Sequence, residues 1–181
     1  ENNLARCSLV SCVPLRTAQS TYTALSYCAG DHRQTTTILI DGNPCKVFAN
    51  LGRALLQARS FLQDKNRRPN EHLLWVDQIY INQSDSAERS HQVAHMRETY
   101  EAADQVLVCL DVEVTDHGGV DWLCEFCERL TSQKERRQRA SADCLFKGDY
   151  VARWDAFFNA IKCRWWTRAW VCQELIVSRE A

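Results

Sequence analysis

The chain has 181 residues, 45% of them hydrophobic and 25% charged, the profile of a globular domain rather than of a disordered or fibrous chain. Its 22 basic and 23 acidic residues leave a net charge of -1, so charge gives no argument for nucleic acid or an anionic membrane as partner. No apolar run approaches the roughly 18 residues of a spanning helix, and the opening ENNLARCSLV lacks the basic and apolar regions of a signal peptide. The expectation is a cytoplasmic chain with one domain over residues 1–181. Without an initiator Met, and ending inside a helical pattern, it reads as an N-terminal piece of something longer.

Ten cysteines are scattered along the chain, several inside apolar runs such as VLVCL, where a thiol behaves as a small hydrophobe. They read as reduced. The one CxxC, Cys124-Glu-Phe-Cys127, has no second pair at zinc spacing and no strand leading into it.

In chain order, TYTALSY (21–27) reads as a strand, followed by the turn-rich CAGDHRQ. TTTILIDGNPCKV reads as a hairpin, because Asp41-Gly42-Asn43 supplies turn residues between two β-prone runs. From Asn50, taken as a cap, the period changes: Leu51, Ala54, Leu55, Ala58 and Leu62 mark an amphipathic helix. LLWVDQIYI is so continuously apolar that it predicts a buried central strand. Asp85-Ser86-Ala87-Glu88 has capping-box spacing and opens a second helix with Val93, Met96, Tyr100 and Ala103 on its inner face. QVLVCLD (105–111) is a further buried strand. Helices are expected around 120–130 and 150–162, separated by the charged, solvated SQKERRQR, and a last one contains RAWVCQELIV. Strands alternating with helices predict an α/β fold with a mostly parallel sheet flanked by helices, plus a small β-hairpin insertion. Ligands of such sheets bind beyond the C-terminal ends of the strands.

Polar residues at those ends are therefore the candidates. Ser26 and Tyr27 close the first strand and Cys28 opens the turn after it. Asp77 interrupts LLWVDQIYI and must be hydrogen-bonded, ion-paired or facing a cleft, since an unpartnered buried carboxylate is costly. Asn82 precedes a helix N-terminus whose N–H groups favour an anion such as phosphate. Glu174 is a lone carboxylate in an apolar stretch, with no basic residue at i±3 or i±4. Trp170 lies one turn before it. His91 and His95 have metal-ligand spacing but no third ligand nearby, which leaves them on the solvated side of their helix.

Three ordered segments, YTALSYCAG, WVDQIYINQ with ERSHQVAHMRETYEAADQVLVCLD, and RWWTRAWVCQEL, resemble the fungal heterokaryon-incompatibility (HET) domain from Tyr22 to Ile176. One departure is Ala29, where the family usually has Trp before Gly. HET domains in turn resemble TIR domains, whose catalytic members have a flavodoxin-like sheet and cleave NAD at the nicotinamide bond with a glutamate in a W-x-x-x-E pattern. Trp170-Val171-Cys172-Gln173-Glu174 fits that pattern. The resemblance implies an NAD glycohydrolase with Glu174 as the catalytic group and no cofactor, NAD being the substrate. Ser26, Tyr27, Cys28, Asp77, Asn82 and Trp170 would then form the substrate site. It also implies self-association on activation and an upstream recognition partner. The competing expectation is a non-catalytic module acting by self-association, in which Glu174 is buried against an Arg or backbone amides instead of opening into a cleft with Ser26 and Asn82.

Overall fold

A computed structural model describes residues 4–64, 73–82, 84–111 and 150–177. They fall in two compact units, 1–109 with 167–181, and 110–166. The expected helix at 120–130, the CxxC and SQKERRQR lie outside the described residues.

The first unit holds strands β1 (Arg6–Cys7), β2 (Tyr22–Tyr27), β3 (Thr35–Ile40), β4 (Asn43–Phe48), β5 (Leu73–Trp75) and β6 (Gln105–Cys109). Its helices are α1 (Leu15–Ala18), α2 (Ala49–Asp64), α3 (Asp77–Tyr80) and α4 (Ser86–Ala102). β5, β2 and β6 form a parallel sheet in that order, with Ala24 opposite Trp75 on one side and Val106 on the other. β2 is the central strand and every one of its residues is buried. Its alternation feeds two cores. Leu25 and Tyr27 pack with Leu51, Ala54, Leu55 and Ala58 of α2, while Tyr22 and Ala24 pack with Met96, Tyr100 and Ala103 at α4. The helical periods read from the sequence thus mark the faces that cover the sheet on both sides.

β3 and β4 form the expected hairpin, with Asp41 (φ 51°) and Gly42 (φ 80°) as the two turn residues between Ile40 and Asn43. Positive φ at both central positions is what a tight hairpin of the right twist requires. β1, which the sequence did not suggest, joins β3 in parallel to give a second small sheet.

Two expectations need correction. LLWVDQIYI is not a central strand: only Leu73–Trp75 pairs in the sheet, flanking β2, and Asp77–Tyr80 is a single helical turn. The cause is local, because Asp77 Oδ1 accepts the Gln78 N–H (2.7 Å) and the N–H groups of Ile79 and Tyr80 turn back to the Val76 carbonyl. Asn50 is also no cap: α2 begins at Ala49, and the Asn50 side chain donates to the Cys28 carbonyl (2.9 Å) instead.

In the second unit, α5 (Tyr150–Ile161) groups the rings of Trp154, Phe157 and Phe158. Trp166 folds back to donate its indole N–H to the Ala160 carbonyl (3.0 Å). Among the described residues no helix is long and apolar enough to cross a membrane, and all seven cysteines are free thiols.

Candidate functional site

RAWVCQELIV is not the regular helix that its apolar spacing suggests. A 3-10 turn at Arg164–Thr167 gives way to a wide π turn at Cys172–Ile176, entered through Trp170, whose carbonyl accepts the N–H groups of Gln173 (2.8 Å) and Glu174 (3.0 Å). Arg168 therefore stands before the turn rather than on it. Its guanidinium reaches back to the carboxylate six residues later, donating to Glu174 Oε2 and Oε1 at 2.8 Å each. The Ser26 hydroxyl donates to Oε2 as well.

Glu174 is completely buried. A charge so far from water persists only when opposite charge and hydrogen bonds replace its hydration, and the two-pronged Arg contact with the Ser hydroxyl does this. The Arg168 side chain keeps 22% of its surface exposed, so the pair is sealed on the acid side and open on the basic side.

Two phenols extend the cluster. Tyr27 donates to Gln78 Oε1 (3.3 Å) and is held neutral well above the ordinary tyrosine range, first by burial and then by the charge of Asp77. Tyr100 is raised by burial, then by the negative charges of Glu174 and Asp77, against the opposing pull of Arg168. Its hydroxyl donates to the Leu25 carbonyl (3.4 Å). Ser26, Tyr27, Asp77 and Glu174 are thus assembled at the C-terminal end of the central strand, where β2 lies between β5 and β6.

The remaining candidates bring no side-chain hydrogen bond to this cluster among the described residues. Asn82 shapes the entry to α4: its side-chain oxygen accepts the Ser84 N–H (3.1 Å) and its own N–H donates to Glu88 (3.1 Å). The α4 N-terminus is likewise occupied, because Asp85 accepts the N–H groups of Ala87 (2.9 Å) and Glu88 (3.1 Å). The anion expected there finds those donors already used by the chain itself. Cys28 is half-buried and contributes its carbonyl to Asn50. Trp170 leaves 38% of its surface in solvent. The His91 and His95 rings lie 4.7 Å apart, tilted by 55°, on the exposed side of α4, and no group of three metal-ligating side chains converges among the described residues.

Sequence reasoning missed Arg168 and Tyr100 as members of the cluster. A search at i±3 and i±4 cannot find a partner at i−6, and Tyr100 read simply as core. The signal for Arg168 was its place at the head of an otherwise apolar stretch.

The fold and the cluster define a class: a mixed α/β protein with a small parallel sheet, helices on both faces, and a buried acid–base pair at the sheet's C-terminal end. Residues 22–174 match the family model described as Heterokaryon incompatibility protein (HET), and the chain belongs to that family. It is 32% identical over 184 aligned positions to Heterokaryon incompatibility protein 6, OR allele, of Neurospora crassa, covering 84% of this chain. It spans 27% of the length of that relative. No solved structure matches the chain.

Proposed function

We propose that this chain is a heterokaryon-incompatibility effector domain that cleaves NAD at the nicotinamide–ribose bond, using Glu174 once the Arg168 clamp has opened. The observation that carries this reading is the Ser26–Glu174 contact at the C-terminal end of the central parallel strand. With β2, β5 and β6 taken in chain order, the spatial order β5-β2-β6 is the 2-1-3 arrangement with which flavodoxin-like sheets begin. Such sheets bind ligands beside the first strand, where the order reverses. The π turn that carries Glu174 is a rare local form often found at functional sites. Beside it, Gln173 Oε1 is buried with no hydrogen-bond partner among the described residues.

The chemistry suits one carboxylate. Nicotinamide departs as a neutral molecule from a cationic pyridinium and needs no proton, whereas the ribosyl group develops positive charge until a water oxygen bonds to that carbon and releases its proton to solvent. An ionised Glu in a poorly screened setting stabilises that charge and accepts from ribose hydroxyls. In the closed arrangement Arg168 holds both carboxylate oxygens, so the reaction requires its withdrawal toward solvent.

Glu174 is buried against Arg168 and does not share a cleft with Asn82, the arrangement expected of a non-catalytic module, and this favours a second reading in which the pair pins the last turn to β2 and the domain acts by self-association. The apolar face of α5, with Val151, Phe158 and Ile161 exposed, would then be the contact surface. Incubating purified protein with NAD at high concentration, wild type beside Glu174→Gln, separates the two. The first reading expects nicotinamide from wild type and none from a folded Glu174→Gln. Absence of nicotinamide from wild type at concentrations where oligomers form leaves the second.

A further inference from the structure

A cavity of about 600 Å³ lies away from the Glu174 cluster, bounded by the segment 9–15, strand β5 and helix α4. None of Ser26, Tyr27, Asp77, Arg168 and Glu174 lines it. Its size is in the range that holds a small molecule, roughly 300–1,000 Å³. We propose that this cavity binds an amphipathic molecule with an aromatic or aliphatic body and a cationic amine end.

The walls argue for the body. Leu9, Val10, Val13 and Tyr80, each at least 38% exposed, all border this one cavity, and Trp75 and Ile79 line it too. Single exposed apolar residues are ordinary on a protein surface, whereas a set of them converging on a concavity marks a site. The cavity is also preformed: the Leu9 N–H donates to Asp41 (3.2 Å) and the Tyr80 hydroxyl to the Val10 carbonyl (3.5 Å), which ties the segment down.

The polar end argues for the amine. Gln92, His95, Glu98 and Thr99 of α4 lie together there, and Glu98 is the sole carboxylate among the described lining residues. Among the described lining residues there is no Lys or Arg, whereas Glu98 offers a cation its countercharge. The Glu98 side chain is 65% exposed and shares one oxygen with His95 at 3.3 Å, which leaves the other for an incoming ammonium. Trp75 and Tyr80 also line the cavity, and aromatic side chains attract cations.

The probe is dansylcadaverine, whose fluorophore brightens in apolar surroundings and whose chain ends in an ammonium; its N-acetyl derivative is the neutral control. The amine is expected to bind saturably below millimolar concentration and several-fold more tightly than the acetylated probe. Glu98→Gln should erase that preference, weakening the amine about fivefold, the scale of an exposed ion pair, and leaving the neutral probe unchanged. Val13→Trp, a rim substitution that fills the mouth, should abolish both, and Glu174→Gln should alter neither. Equal affinity for the two probes, an unaltered response in Glu98→Gln, or saturation that survives Val13→Trp overturns the assignment. None of these outcomes depends on whether NAD is cleaved.

Discussion

Replacing Arg168 with Met keeps the length and apolar stem of the side chain but strips Glu174 of both guanidinium bonds. The carboxylate has no exposure and keeps, among the described residues, the Ser26 hydroxyl as its side-chain partner, so it cannot relax into water. Removing one partner of a buried pair costs about 3–5 kcal/mol. Because Arg168 itself is 22% exposed, the lower end applies, about 3 kcal/mol, which corresponds to roughly 6–12 °C in melting temperature for a chain of this size. The reverse deletion should be milder. In Glu174→Leu the orphaned guanidinium can turn its head to solvent while its stem stays packed, which limits the loss to about 1–2 kcal/mol. The double variant should lie within about 1 kcal/mol of wild type, as apolar replacements of buried pairs often do. Urea and thermal unfolding of the four proteins gives the coupling directly. Additive losses, or an Arg168→Met within 0.5 kcal/mol of wild type by the same thermodynamic cycle, would refute the claim that the bidentate pair anchors this turn.

Further expectations test the rest of the structure. Arg168→Lys loses one of two charge-assisted bonds, so under the clamp reading the open population and the rate of nicotinamide release rise about tenfold, measured by product chromatography. Gly30 sits at φ 79° with Asn50 Nδ2 only 2.7 Å from where a Cβ would lie, and that amide holds the Cys28 carbonyl. Gly30→Ala should therefore cost about 2 kcal/mol in denaturant titration, from left-handed strain and the displaced hydrogen bond. Asp85→Ala removes the acceptor for two N–H groups at the start of α4 and should cost about 1 kcal/mol, seen as a lower urea midpoint without a change in slope. Burial pushes the Cys109 thiol and the Tyr22 phenol up to about 12. Both are neutral when folded and ionise earlier when unfolded, so stability should be flat below about pH 9 and fall progressively toward pH 12. Cys109→Ala should flatten the first part of that decline in pH-dependent melting curves.

Periodicity made much of the scaffold legible. The stripe Leu51, Ala54, Leu55, Ala58, Leu62 is the buried face of α2, and of the stripe Val93, Met96, Tyr100, Ala103 the middle two are buried on α4, Val93 is partly buried and Ala103 is buried just past the helix end, because burying an amphipathic helix leaves a 3.6-residue trace whatever it packs against. The Asp41-Gly42 turn and the Asp85 cap were equally readable, since each satisfies its geometry with residues next to it in the chain. LLWVDQIYI misled because hydrophobicity reports burial rather than backbone form, and the Asp77 carboxylate captured a local N–H that a strand would have given to a neighbour.

The family, the helical faces, the hairpin and the lack of a basic residue within one turn of Glu174 could be read from residue type and short spacing alone. What that glutamate meets could not: its partners are Arg168 and Ser26. Ser26 is 148 residues away in the chain, and Arg168 meets the carboxylate six residues later across a π turn at Cys172–Ile176 rather than along a regular helix. Contacts of that kind depend on how the chain returns to the end of β2, which no local pattern encodes.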